Sequence, residues 1–298
     1  AQIATKTGCR LVTDTFVSRI RRGAGLPIVQ QVPYFSEMAE DFLQGTESIV
    51  FIGTKPPVSF FAYPDKKSFL SPDEAELFEL CSVEENGYEA LALLSELSGS
   101  PKIANELIRP YIADVPTSGD LDVTTLGPLI ADIMPEESIV SDESATSSLI
   151  VTPHALQAKP HDWLALTGGS IGQGLPLAIG ASIAKPDRPV ITLHGDGGAM
   201  YTVQALWTQA RENLNITNII FSNRSYEILK IELDRVQAVE TGERAASMFS
   251  MDNPPIDWVN LAESMGVQGY KPKTVKEFKD VFSKSVNESG PSLIEIEI

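Results

Sequence analysis

Two apolar runs, each ending in a polar turn, constrain this chain more than any other feature. Pro189–His194 runs into Gly195-Asp196-Gly197-Gly198, and Asn218–Ser222 runs into Asn223. A helical stretch, Tyr201–Asn213, lies between them. Strand, helix, strand with short connections predicts two parallel neighbours joined by a crossover. The C-terminal ends of both strands then open on one edge of the sheet, where open α/β sheets bind ligands. The separation, 223 − 196 = 27, is one helix plus one strand, and it places Asp196 and Asn223 at adjacent strand ends.

The same alternation extends on either side. Upstream come helix Thr124–Met134, strand Ser138–Ser141, a helix from about Thr146, a glycine turn Gly168–Gly174 and helix Leu175–Ala184. Downstream come helices Tyr226–Val236, Asp257–Met265 and Val275–Val286, then strand Leu293–Ile298. Earlier still, helix Tyr34–Leu43, strand Ser48–Ile52, strand Leu77–Val83 and helix Tyr88–Leu97 make a smaller α/β set. Arg109–Asp122 has two prolines, a glycine and three aspartates but little periodicity, which reads as a surface linker. The expectation is therefore α/β, with two doubly wound parallel-sheet domains: 1–109, a linker 110–122, and 123–298.

Charge limits the ligands. The 298 residues carry 23 Lys and Arg against 40 Asp and Glu, a net charge of −17. Such a chain repels nucleic acid and anionic membranes, and no apolar run approaches the roughly 20 residues of a membrane helix. An anionic ligand must be held by backbone N–H groups, helix N-termini or a metal. Asp196 and Asn223, with the carbonyl of Ser225 in the following turn, offer three oxygens to a hard cation such as Mg²⁺. Gly197 and Gly198, without Cβ atoms, let a phosphate approach their N–H groups. Taken alone, Gly-Asp-Gly-Gly is a common turn; the paired strand ends and the upstream glycines lend it weight.

Other polar residues invite plainer readings. His154 and His161 read as exposed or capping, and His194 as a packed strand end. Arg19, Arg21 and Arg22 read as a solvated helix end, with contact to an anionic cofactor such as FAD as the alternative. Tyr201 and Trp207 have the spacing of core or dimer-interface residues. Cys9 and Cys81 are far apart and in no metal-like spacing, which points to a reducing compartment, the cytoplasm. The start, Ala1–Lys6, lacks the features of a signal peptide and lacks an initiator Met, so the natural chain is expected to begin earlier.

The stretch HGDGGAMYTVQALWTQARENLNITNIIFSNRSY resembles the Gly-Asp-Gly…Asn signature of thiamine diphosphate (ThDP) enzymes. TGGSIGQGLPLAIGASIAKPDRPVITLHGDGGAM is similar to the acetolactate synthase and benzoylformate decarboxylase branch, and the likeness covers Asp122–Ile298. RIRRGAGLPIVQQVPYF and GTKPPVSFFAYP look like that family's middle domain, truncated at its start.

The resemblance implies that Asp196, Asn223 and the Ser225 carbonyl bind Mg²⁺, and that Gly197 and Gly198 bind the diphosphate. It implies that Thr146 lies on the diphosphate's other side, that the Gly169 backbone meets the aminopyrimidine, and that Ile171 is the wedge bending the cofactor. The family's activating Glu belongs to a pyrimidine-binding domain that nothing here matches, and Glu143 would face the wrong end of the cofactor. A missing segment or another chain would complete the site, in a homo-oligomer acting on a 2-oxo acid. The implied reaction is decarboxylation of a pyruvate-like acid and carboligation to a second one. A simple decarboxylase and a non-catalytic cofactor-binding subunit are the alternatives. The decarboxylase that uses a middle-domain His would need one near Tyr63-Pro64, and none is there.

Overall fold

The computed structural model describes residues 1–103, 115–236 and 242–298. Its strands are β1 (Val12–Thr13), β2 (Ile20–Arg22), β3 (Gln30–Gln31), β4 (Ser48–Ile52), β5 (Glu76–Cys81), β6 (Ile139–Glu143), β7 (His161–Leu164), β8 (Val190–Gly195), β9 (Ile216–Ser222), β10 (Gln268–Tyr270) and β11 (Ser292–Glu297). Its helices are α1 (Gln2–Thr7), α2 (Ser36–Leu43), α3 (Gly87–Leu97), α4 (Val123–Ile133), α5 (Ser148–Ala155), α6 (Gly174–Ala184), α7 (Asp196–Ala199), α8 (Ala205–Arg211), α9 (Glu227–Arg235), α10 (Glu243–Ser247), α11 (Trp258–Ser264) and α12 (Val275–Ser285).

The chain forms two units. One comprises Ala1–Thr15 with Pro27–Leu107, the other Phe16–Leu26 with Ile108–Ile298. The first is α/β with two separate parallel ladders, β1 beside β3 and β4 beside β5. Among its described residues one apolar cluster is buried, Val32, Ala39, Leu43 and Leu70, and Phe51 and Cys81 are buried apart from it.

The second unit is built on a seven-stranded sheet in the order β10-β11-β9-β8-β6-β7-β2, parallel throughout except for β2. All of β9 and nearly all of β8 are buried, which is why both read as unbroken apolar runs. α4 starts where the Asp122 side chain accepts from the N–H groups of Thr124 and Thr125 in a capping box. Thr274 and Glu277 form a second box that opens α12, whose Phe278 and Phe282 stack in the core. From β6 the chain passes outward to β7, then crosses back to β8 on β6's other side. The switch point of the sheet thus lies between β6 and β8.

Residues 16–26 depart from the expected boundary at 109. β2 pairs antiparallel with β7, and Arg19 and Arg21 reach across that edge to Asp162, which Arg188 also pairs with at 2.7 Å. Arg21 also pairs with Glu137. Arg22 is buried with its guanidinium 3.6 Å above the Trp163 ring, and burial pulls its pKa down to about 9. The cluster is an edge strand rather than a helix end. Ion pairs and ring stacking inside this unit engage its guanidiniums, so the cluster gives no support to FAD. Of the expected linker, residues 110–114 lie outside the described residues.

His161 is fully buried, contrary to the exposed role expected for it. Its Nδ1 lies 2.8 Å from the Lys159 carbonyl, so that nitrogen carries the proton and Nε2 is left to accept from Arg22 Nε at 3.4 Å. Burial lowers its pKa to about 4. His154 is half-buried against Gly127. Among the described residues no helix is long and apolar enough to cross a membrane.

Candidate functional site

The ends of β6, β8 and β9 meet at the switch point. Parallel pairing sets Glu143 opposite His194 and Gly195 opposite Phe221, so the turns carrying Asp196 and Asn223 leave the sheet side by side. A hydrogen bond fixes their proximity: the Arg224 N–H donates to Asp196 Oδ2 at 2.8 Å. Asp196 Oδ1 accepts from the Gly197 N–H, also at 2.8 Å. Asn223 Oδ1 accepts from the Ser225 N–H at 2.9 Å, which closes the turn after β9. Asp196 is only 3% exposed, and burial raises its pKa against the opposing pull of these N–H bonds.

The helix expected from Tyr201 to Asn213 is shorter at both ends, Ala205–Arg211. A four-residue turn, α7, begins at Asp196, and α8 follows only at Ala205. So short a helix contributes little dipole; the approach of backbone to ligand matters more. A Cβ on Gly197 would lie 2.7 Å from Tyr226 Cε1, and one on Gly198 2.9 Å from Glu143 Oε1. Neither position has room for a side chain. Gly197 already directs its N–H to Asp196.

Beneath these glycines lies a buried pair. His194 Nε2 sits 3.1 Å from Glu143 Oε2, and its Nδ1 3.1 Å from the Gly195 carbonyl, which matches the packed role expected of it. Glu143 also accepts from the N–H groups of Gly172 and Gly174. Burial pushes its pKa up, but the approach of His194 and the two N–H bonds outweigh burial and hold it below the ordinary carboxylate range. Both its oxygens are therefore committed to holding the glycine turn.

That turn presents Ile171. Gly172, at φ +93°, lies so close to Tyr201 that a Cβ would come within 2.7 Å of it, and its carbonyl accepts from Thr202 Oγ1 at 2.6 Å. Ile171, between these anchors and the Gly169 carbonyl that accepts its N–H, is 55% exposed. Thr146 is half-buried in a 3-10 turn, Ala145–Ser147, that follows β6 and packs on β8 and α9.

Sequence reasoning missed Arg224, whose backbone joins the two strand ends; only its place after Asn223 could have drawn notice. Among the described residues no group of three or more His, Cys, Asp or Glu could hold a metal. A cation at this edge would depend on Asp196 together with amide and carbonyl oxygens. The buried Asp196 carboxylate beside the turn of Asn223 fits a cation, while Gly197 and Gly198 are required by the close packing of Tyr226, Glu143 and His194.

Residues 145–296, just over half the chain, match the family described as the thiamine pyrophosphate enzyme C-terminal TPP-binding domain. The chain belongs to the ThDP-dependent enzymes. A Mycobacterium tuberculosis protein with the provisional name acetolactate synthase large subunit IlvX is 41% identical over 99% of this chain and 57% of its own length. Benzoylformate decarboxylase of Pseudomonas aeruginosa is 26% identical over 69% of this chain and 38% of its own. The structure of 4-hydroxybenzoylformate decarboxylase from Rhodococcus jostii RHA1 superposes with a TM-score of 0.79 at 24% identity, over 99% of this chain and 57% of that one; the likeness is one of fold. The chain thus spans little more than half the length of its M. tuberculosis relative.

Proposed function

We propose that the second unit holds the diphosphate and Mg²⁺ of ThDP in an acetolactate synthase-like enzyme, which decarboxylates a pyruvate-like 2-oxo acid and joins the remainder to a second 2-oxo acid. The observation that carries this reading is a buried carboxylate, Asp196, hydrogen-bonded to the turn after Asn223 at the switch point of a parallel sheet. Asp196, Asn223 and the Ser225 carbonyl are the cation's ligands. The backbone at Gly197 and Gly198 faces the diphosphate, with Thr146 on its other side. The Gly197 N–H, which donates to Asp196 Oδ1 here, would be available to a phosphate oxygen if that carboxylate were given to a cation.

Gly169 and Ile171 serve the other end of the cofactor. The Gly169 backbone would meet the aminopyrimidine, and Ile171, apolar and 55% exposed, would act on the cofactor by shape. Bound ThDP supplies the electron sink that decarboxylation requires. Glu143, with both oxygens engaged by Gly172, Gly174 and His194, is not the carboxyl that moves the aminopyrimidine proton. That carboxyl comes from a pyrimidine-binding domain, in a segment beyond these residues or in another chain of a homo-oligomer. The 41% identity to the M. tuberculosis relative favours the carboligase over a simple decarboxylase.

Calorimetry of the full-length gene product tests the cation site. Asp196→Ala should abolish Mg²⁺-dependent ThDP binding, and unchanged affinity would sink the assignment. Ile171→Ala should leave ThDP affinity within about threefold and lower turnover at least tenfold, about 1.4 kcal/mol in the barrier. Full turnover in that variant would remove Ile171 from the mechanism. Product analysis with pyruvate separates the two reactions: acetolactate supports the carboligase, and aldehyde alone supports the decarboxylase.

A further inference from the structure

The turn after Asn223 places a long side chain where the backbone favours glycine. Arg224 has φ +54°, in the left-handed region that L-residues other than Asn and Asp rarely enter. Each part of the residue is tied down. Its N–H donates to Asp196 Oδ2 at 2.8 Å, and its carbonyl accepts from the Met251 N–H at 2.8 Å. Its guanidinium spans two carboxylates. Nη1 lies 3.2 Å from Asp252, which follows Met251, and Nη2 bonds Glu297 at the end of β11. Glu297 is itself fixed by Lys271 at 2.9 Å, and Lys271 also pairs with the buried Glu295 at 3.3 Å.

Surface ion pairs of this kind contribute little to stability one by one. Here they act on a backbone torsion. A residue at φ +54° turns its N–H toward β8 while Ser225 folds back to give its own N–H to Asn223. In the extended or right-handed form the N–H and the carbonyl of residue 224 take relative directions different from those that reach Asp196 and Met251 here. The guanidinium clasp compensates for the side chain that disfavours this torsion.

We infer that Arg224 is a positioning residue for the cation site: clasped by Asp252 and Glu297, it holds the left-handed turn that sets the Asp196 carboxylate against the oxygens of Asn223 and Ser225. The inference rests on the cation site proposed above and adds to it a residue that touches neither metal nor substrate.

The test compares three variants of the full-length protein: Arg224→Gly, Arg224→Val, and the double change Asp252→Asn with Glu297→Gln. Glycine enters the left-handed region freely, and a β-branched residue does not. Two readouts are needed: Mg²⁺ affinity at saturating ThDP by calorimetry, and hydrogen exchange of residues 219–228 without cofactor. Arg224→Val should weaken Mg²⁺ binding by about tenfold or more and speed exchange; Arg224→Gly should stay within about threefold of wild type, and the double variant should fall between them. Equal losses in the glycine and valine variants would mean that the guanidinium charge matters and the torsion does not, which overturns the inference. So would wild-type affinity and exchange in all three. A wild-type protein without Mg²⁺-dependent ThDP affinity would overturn the cation site and this inference together, whereas unchanged variants of a Mg²⁺-binding wild type overturn this inference alone.

Discussion

The two units bury apolar side chains to very different degrees. In the second, β9 is buried along its whole length, and the core includes Phe278, Phe282, Leu126 and Ile191. Among the described residues of the first, one cluster of four is buried, Phe51 and Cys81 are buried apart from it, and α3 buries none of its eleven. Leu97 at its end is 76% exposed, and Phe78 on β5 is half-exposed. Hydrophobic stabilisation follows the area removed from water, so the second unit has a large reserve and the first a small one. The site sits in the unit with the reserve. A buried carboxylate at a strand end costs free energy, and a large core can offset that cost.

Core substitutions should divide the units most sharply. Phe278→Ala in the second unit should cost about 3–5 kcal/mol, read as a shift in the urea midpoint of that unit. A loss below about 1 kcal/mol would mean that this core is looser than its burial suggests.

Acid should act next most strongly, and on the second unit. His161 has a folded pKa of about 4 against an ordinary value of 6.5. A base whose folded pKa is lowered makes no difference where both states are neutral, above 6.5. Below that, the unfolded chain takes up the proton and the folded chain refuses it. Stability should therefore fall between pH 6.5 and 4, by about 3 kcal/mol at the lower limit. His161→Gln should flatten this part of the profile. An unchanged slope in that variant would assign the acid loss to other groups.

The smallest effect belongs to the first unit. Leu97→Ala should change stability by no more than about 0.5 kcal/mol, because the side chain is already in water. A larger loss in the full-length protein would show that something covers α3 there.

The sequence carried the centre of the second sheet and little of its edge. β8 and β9 are apolar because both faces are covered, and their turns are polar because they leave the sheet, so Asp196 and Asn223 could be placed from pattern alone. β2 and β7 read Ile-Arg-Arg and His-Asp-Trp-Leu, which no local rule calls a strand. Arg21 of β2 and the preceding Arg19 pair with Asp162 of β7, 143 residues from Arg19, and Arg22 stacks on Trp163. Burial of His161 was hidden for the same reason. The late start of α8 was also invisible, since Thr202 and Tyr201 meet the Gly172 turn instead of opening the helix. Arg224 looks like any surface arginine until its torsion is known.

β2 gives the chain an unusual history during synthesis. Residues 20–22 leave the ribosome well before β7, at 161–164, exists to receive them. At about 5–20 residues per second the wait is roughly 7–30 seconds. Through that interval an unpaired strand edge is tethered to the growing first unit, and its arginines are the kind of charge that discourages pairing with a wrong neighbour. When β7 arrives, closing the edge ties off residues 23–160 as one long loop, which carries the first unit from residue 27 onward together with α4, β6 and α5. A protease cut within that loop would then leave the early strand in place, held by Asp162 and the ladder with β7 rather than by the chain that delivered it.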